Sequence, residues 1–513
     1  MTTIFILVAI SMIFAYLCLR LLESWTQDPY EPPLINTGIP YIGSIIKMMR
    51  YKTEFYQIMQ SEQGLAIYTL RIPGSRLYVV NSLPLISAIQ KQHRTLSWAP
   101  LMGAAIQWIT GTSEYVNNMM AYDIVTEHGF LLGINKATNS ALAPGSSLDA
   151  MNTLAINTFS ISIDTMVAKR SCQFSLLQWV RTQIILATTD AIYGIHSPFR
   201  DHDVREAWDN YRPGIPNLGP KALPSFMASK SIRAREHVVK ALMHFFQAGY
   251  HKKGSELLMA RYKYIVEKHQ VKDLYDLARL ELAGAFASIE NMVPTAFWFF
   301  YRLYSDPVVL KECRDEVSHI VEERNGACYI DVDSIKSSCP ILQSTLHETI
   351  RYHSTTISAR KVTEDYVLDQ YVLKKGSTIL IPASVPHFNE GSWGTNAGRF
   401  DYTRFILDHD GHTKKGARRT AFRGFGGGYH LCPGRHFAVT EMLSLASMVV
   451  LRFDITPVDT IWAALENANL SFNGTAAPVP DKEFPVIFVP RDNRKWVFFV
   501  SGKGSQMDLL ATE

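Results

Sequence analysis

The stretch that most constrains the fold is Phe425-Gly-Gly-Gly-Tyr-His-Leu-Cys432-Pro-Gly434-Arg-His-Phe-Ala438, a glycine-rich loop that delivers one cysteine and runs directly into a helix pattern over 439–451. Met442, Leu445, Met448 and Val449 give that pattern its apolar face. Glycines in the loop allow the backbone to fold tightly beside Cys432 and aim amide N–H groups at its sulfur. The positive end of the following helix lies close by, so the loop is expected to favour a thiolate. Two plainer readings compete. A phosphate cradle would need the Lys-Ser/Thr ending of a P-loop, which is missing here. A buried free cysteine would act only as a small hydrophobe.

The 513 residues are 47% apolar and 19% charged, with a formal charge of +4, which describes a well-filled globular chain. No linker, repeat or low-complexity block follows the N-terminal region, so one large catalytic domain over 29–513 is expected behind an anchor over 1–28. No basic helix interleaved with aromatics accompanies the positive charge, so nucleic acid is not an expected partner. Met1 to Leu19 carries no charged side chain, and 4–22 is almost wholly aliphatic or aromatic, interrupted by Arg20, long enough to cross a bilayer. A cleaved signal peptide would carry a basic start and a shorter apolar run, and a buried helix is the third reading. Arg20, Lys47, Arg50 and Lys52 follow the segment, with Glu23, Asp28 and Glu31 interspersed, and the positive-inside bias leaves the bulk of the chain cytosolic. Cys18, Cys172, Cys313, Cys328, Cys339 and Cys432 show neither disulfide nor zinc spacing, which agrees with a reducing compartment. On that topology the glycosylation patterns at Asn469 and Asn473 are chance matches.

Downstream of the anchor, the prolines of 29–40 suggest a short semi-rigid hinge. Residues 65–72 and 76–82 around Pro73-Gly-Ser75 read as a β-hairpin, followed by a helix over 83–96 and an irregular stretch over 98–145. Residues 146–270 read as mostly helical, broken by the proline-rich 211–226, which is either an access lid dipping toward a membrane or a packed connector. The longest helix-compatible run, 273–303, is apolar all round and therefore buried. Pro294 inside it cannot donate to the carbonyl of Glu290, so a local opening with a polar notch is expected there. Further helices are expected over 307–323 and 340–353, then strands over 362–368 and 371–382.

The spacing Phe425-x-x-Gly428-x-His430-x-Cys432-x-Gly434 closely resembles the haem-binding loop of the cytochromes P-450. Upstream and in the family's order lie Glu348-Thr-Ile-Arg351 on a helix and Phe400-Asp-Tyr-Thr-Arg404-Phe405, similar to its Glu-x-x-Arg and Arg-Phe motifs, with Tyr402 where Pro is usual. The run Ala287-Ser-Ile-Glu290-Asn291-Met-Val-Pro294-Thr-Ala-Phe-Trp298 resembles the family's helix over the haem, with Asn291 where most members have Thr. That departure looks like the branch holding steroid hydroxylases of bile-acid synthesis and prostacyclin synthase, and the loop wording looks like filamentous-fungal members of secondary metabolism. The resemblance implies a mainly α fold with a small β region, one N-terminal transmembrane helix, and haem b ligated through its iron by Cys432. Phe425 would pack near the sulfur, Gly434 would lie in the cofactor-binding loop, His430 would reach a haem propionate, and Arg360 would hold the second or else be a surface arginine, while no Trp-x-x-x-Arg clamp can be placed. Glu290 and Asn291 would deliver protons, or else be an ordinary polar helix face, and Glu348, Arg351 and Arg404 would form a buried supporting triad.

The implied function is a monooxygenase of the endoplasmic reticulum membrane, its catalytic domain cytosolic, drawing electrons from an NADPH-cytochrome reductase and oxidising an apolar terpenoid, steroid-like or polyketide substrate. Lys414, Lys415, Arg418, Arg419 and Arg423 would form the reductase-docking patch or an ordinary solvated face. A haem-thiolate isomerase or dehydratase that rearranges a peroxide without a reductase is the alternative, and a non-catalytic haem sensor a further one.

Overall fold

A computed structural model describes residues 2–126, 128–218, 225–407, 419–466, 470–471 and 475–502. It begins with helix α1 (Thr2–Trp25), whose apolar span from Ile4 has a hydropathy of 2.5 and is unburied, long and apolar enough to cross a membrane. The base of α1 is fastened to the domain. Arg71 and Arg76 donate to the carbonyl of Thr26 at 2.7 and 2.9 Å, and Tyr78 donates to the buried Glu31 at 2.8 Å. The proline segment is not the hinge expected from its composition. The amide of Thr69 donates to the carbonyl of Pro33 at 2.8 Å and that of Ile35 to the carbonyl of Thr69 at 3.1 Å. Prolines lack donors but keep their carbonyls, so the segment lies down as a strap on a sheet edge.

That edge belongs to β1 (Ile67–Ile72), which pairs antiparallel with β2 (Ser75–Val80) in the register Ile67 to Val80. The Pro73-Gly74 turn between them needs Gly74 at φ +71°. Helix α2 (Leu83–Lys91) and the short β3 (Leu96–Ser97) follow. The stretch 98–145, expected to be irregular, contains α3 (Ala99–Thr110) and helices Glu114–Ala121 and Phe130–Leu142. Its sequence hides them because α3 is apolar round most of its surface and Pro100 opens rather than breaks it, being at the first turn.

The helical body includes α4 (Leu176–Tyr193), α5 (His202–Tyr211), α6 (Leu274–Ile289) and α7 (Met292–Ser305). The long run breaks at Glu290 and Asn291, where Pro294 withholds its donor. Beyond the break, Met292 through Tyr301 are all buried. Helix α8 (Pro340–His353) leads to β4 (Ile357–Val362) and β5 (Thr378–Pro382). The sheet order is β1-β2-β5-β4-β3, with β5 parallel to β2 and the other pairs antiparallel. Helix α9 (Arg435–Arg452) runs through the core, buried from Val439 to Arg452. The six cysteines are unpaired. Asn469 and Asn473 lie outside the described residues.

Candidate active site

The cysteine loop is closed by its own backbone. The amide of Cys432 donates to the carbonyl of Phe425 at 2.9 Å, and that of Leu431 to the carbonyl of Gly428 at 3.0 Å. Gly428 sits at φ +63°, and a Cβ there would meet Gln90 at 2.8 Å, so this position requires glycine. Helix α9 starts three residues past Cys432 with Gly434 as its N-cap, and a Cβ on Gly434 would meet no atom within 4 Å. Cys432 is deep in the protein yet keeps accessible surface, which means that it faces an interior hollow. Burial pushes its thiol pKa up, opposed by the amide of Gly434 and by the charge and amide of Arg435. The loop alone therefore does not favour the thiolate as expected, because desolvation outweighs the amides. A bound metal cation would supply the missing charge and deprotonate the sulfur.

A basic cluster stands beside the loop. Arg360, on β4, is buried, with its guanidinium donating only to Ser358 Oγ at 3.0 Å and the carbonyl of Ala359 at 2.9 Å. Arg423 is also buried, and neither guanidinium has a carboxylate partner among the described residues. Burial, then the charge of Arg423, lowers Arg360 to about 10, and burial lowers Arg423 to about 10. His430 is pushed to about 3 by burial, then by Arg360 and His93, and both of its ring nitrogens are buried without a partner. Trp98 lies against His430 with ring centroids 5.2 Å apart, and Met102 occupies the position four residues on where the clamp arginine would stand. Arg423 thus cannot belong to a surface docking patch: it is an interior residue. Lys414, Lys415 and Arg418 lie outside the described residues, and of Arg419 only the backbone is described.

At the break between α6 and α7, Ala283, Ala287 and Asn291 follow one another at four-residue steps and keep accessible surface, while Glu290 is buried. Thr295 Oγ1 donates to the carbonyl of Asn291 at 2.8 Å. Glu290 does not stand free at the notch. Trp208 Nε1 donates to its Oε1 at 2.8 Å and Arg212 Nη1 to its Oε2 at 3.2 Å, both arriving from the end of α5 and the turn after it. Beneath the loop, Arg351 donates to both oxygens of Glu348 at 2.7 and 2.8 Å, and Arg404 Nε reaches the same oxygens at 3.1 Å. All three side chains are fully buried, so removing one strands a desolvated charge.

The profile of the family described as Cytochrome P450 matches residues 209–473, so this chain belongs to the cytochrome P450 family. The chain is 32% identical over 497 residues to "Cytochrome P450 monooxygenase nodJ" of Hypoxylon pulicicidum, covering 94% of this chain and 95% of that one. It is 26% identical to a "Cytochrome P450 monooxygenase" of Gibberella zeae, covering 86% and 84%. It is 22% identical to "Cholesterol 7-alpha-monooxygenase" of Cricetulus griseus, covering 90% and 94%. The fold matches the solved structure "Retinoic acid bound cyanobacterial CYP120A1" with a TM-score of 0.67 at 18% identity, covering 90% of this chain and all of that one. The chain is a haem-thiolate monooxygenase, an oxidoreductase with haem b as cofactor, a reductase as redox partner and an apolar substrate. The residues present fit that cofactor: a cysteine facing a hollow, open space beside Gly434, two unpaired guanidiniums and an imidazole with two orphaned nitrogens.

Proposed function

We propose that this monooxygenase is anchored by α1 in the endoplasmic reticulum membrane, catalytic domain cytosolic, and oxidises a terpenoid, steroid-like or polyketide molecule in secondary-metabolite biosynthesis. The anchor is residues 1–28 and the catalytic domain 29–513. The observation that carries the site reading is the pair of buried guanidiniums, Arg360 and Arg423, without a counter-charge among the described residues beside the cysteine loop. Arginine cannot discharge by losing its proton, so such a pair calls for an anionic ligand. In this reading Arg360, Arg423 and His430 hold the two carboxylates of haem b, Cys432 ligates the iron, and Phe425 and Gly434 flank the ring. When bound, the haem supplies dioxygen activation, with thiolate donation favouring O–O cleavage.

The chain's own residues then divide the remaining work. Asn291, with accessible surface at the break, orients water on the substrate side, and Glu290 is the acidic group beside it in the delivery of protons. Glu348, Arg351 and Arg404 keep the frame under the loop rigid. The access lid over 211–226 stays a proposal that rests on the sequence, and 219–224 lie outside the described residues. Lys414, Lys415, Arg418 and Arg419 remain the proposed reductase-docking residues, without Arg423. The names of the fungal relatives support a biosynthetic role, and that of the hamster cholesterol hydroxylase supports a fused-ring apolar substrate. The test is to express the full chain with a fungal NADPH-dependent reductase and screen apolar metabolites. Oxygenated product that requires NADPH is expected. Turnover of a hydroperoxide without NADPH would point to the isomerase instead.

A further inference from the structure

The last turn of α1 carries a polar stripe on an otherwise apolar helix. Arg20, Glu23 and Ser24 follow at three- and four-residue steps and share one face, while Leu21, Leu22 and Trp25 stay exposed around it. With Gln27, Asp28 and Glu31 they line an open hollow of about 450 Å³ between the helix and the proline strap. The hollow has a fixed frame. Arg20 donates to Tyr16 Oη at 3.0 Å, to Glu23 Oε2 at 2.9 Å, and across to Asn36 Oδ1 at 2.6 Å and the carbonyl of Gly38 on the strap. Glu31 is buried, accepting from Tyr78 at 2.8 Å and from the amide of Asp28 at 3.3 Å. Glu23 is only 5% exposed, although the helix that carries it is bare. Among the described residues Arg20 is its one donor, so its Oε1 is left without a partner. A nearly buried carboxylate oxygen in a hollow calls for an N–H donor.

We propose that this hollow binds the headgroup of phosphatidylethanolamine from the leaflet that α1 leaves, with the ammonium on Glu23 and Asp28 and the phosphate beside Arg20 and Ser24. The proposal rests on the reading of α1 as a membrane anchor. On that reading the apolar span ends at Trp25, so the hollow opens at the depth of the lipid headgroups. Trp25 and Tyr30 are 85% and 69% exposed on either side of it, as aromatic side chains are at a membrane–water interface.

The wall pairs both signs of charge, which suits a zwitterion. Behind the carboxylates, Arg71 donates to Gln27 Oε1 at 3.1 Å, Arg76 Nε lies 3.3 Å from Glu31 Oε2, and Lys374 Nζ lies 2.7 Å from Asp28 Oδ2. The hydrogen bond from Lys374 and the amide of Tyr30 hold Asp28 below the usual carboxylate range, so it stays charged. Ser24, four residues past Arg20, adds a hydroxyl on the same face. Choline brings the same charge as ethanolamine but no N–H, and leaves the free oxygen of Glu23 unmet. An anionic headgroup without an amine sets like charge against Glu23 and Asp28.

The test uses the full-length holoprotein in nanodiscs of phosphatidylethanolamine, phosphatidylcholine and phosphatidylglycerol in equal parts with matched acyl chains. Native mass spectrometry counts the lipids that stay bound after release. Phosphatidylethanolamine is expected to be retained about tenfold over phosphatidylcholine, the size of one charge-assisted hydrogen bond. Glu23→Gln is expected to bring the two to parity, and Asp28→Asn to lower the preference about threefold. The reduced carbon monoxide spectrum should be unchanged in both variants, which shows that they fold. Should Glu23→Gln lose that spectrum, the wild type alone carries the test with mono- and dimethylated phosphatidylethanolamine, whose retention is expected to fall as N–H donors are removed. Soluble phosphoethanolamine is expected not to displace the lipid, and displacement would assign the hollow to a free metabolite. Equal retention of all three lipids, a preference for phosphatidylglycerol, or a preference that survives Glu23→Gln would overturn the headgroup site and leave the anchor standing. A wild type that does not enter the nanodiscs would overturn the anchor and the site with it.

Discussion

Two clusters of buried arginine support the region of the cysteine loop, and they are built on opposite principles. Arg351 and Arg404 share the carboxylate of Glu348, and their other N–H groups donate to carbonyls of Trp393, Asn396, Ala397 and Arg399. Every charge and donor of that cluster is met by protein. Arg360 and Arg423 are also buried yet have no carboxylate partner among the described residues, and both ring nitrogens of His430 lack a hydrogen-bond partner there. The first cluster is a finished part of the fold. The second has no counter-charge among the described residues, which is why one reads as frame and the other as cofactor cradle.

The sharpest way to break this contrast is to remove one member of each cluster. Glu348→Ala or Arg404→Ala should destabilise the apoprotein by about 3–5 kcal/mol, measured by urea unfolding, because the surviving charges are stranded. Arg423→Leu or Arg360→Leu should have the opposite sign in the apoprotein, leaving it as stable or up to about 1–3 kcal/mol more so. The same leucine variants should lose haem to an apoglobin on the order of tenfold to a hundredfold faster, since each forfeits a charge-assisted hydrogen bond. Equal destabilisation by both sets would erase the distinction.

A third site extends the comparison to a buried acid. Glu441 on α9 is buried with Thr188 donating to it at 2.9 and 3.1 Å, and burial raises its pKa to about 8. Unlike arginine, it resolves its isolation by keeping its proton. Its folded pKa lies above the unfolded carboxylate value, so its stabilising contribution is full below that value and is lost as pH rises through about 8. Thermal denaturation from acid to alkaline pH should show this loss at up to about 1.4 kcal/mol per pH unit in the wild type, and Glu441→Gln should flatten it. His387 works at the other end. Burial and then Arg351 lower it to about 3, so stability falls as pH drops below the ordinary histidine range.

The parts of this molecule that were legible in the sequence are those with strict local rules. Pro294 announces a break at Glu290 because a missing donor has one geometric consequence, and the break lies there. The helix 340–353 and the hairpin at Pro73-Gly74 are equally local. The helices within 98–145 were illegible because α3 is nearly uniform in polarity, leaving no periodicity to read. Arg423 was misread as surface because a run of basic residues looks the same whether or not one of them turns inward. Only the chain path places Arg423 near Arg360, 63 positions away in sequence. The link from Glu290 to Arg212 was likewise invisible, because no spacing rule joins residues on separate elements. The docked strap at Pro33 was missed since prolines advertise absent donors, whereas it is their carbonyls that bind.

The most direct measurement is the carbon monoxide difference spectrum of the reduced full-length protein, wild type against Cys432→Ala. A long-wavelength thiolate band in the wild type that disappears in the variant is the expected result. A wild type without that band, or a variant that keeps it, would contradict Cys432 as the iron ligand and leave the unpaired arginines without their explanation.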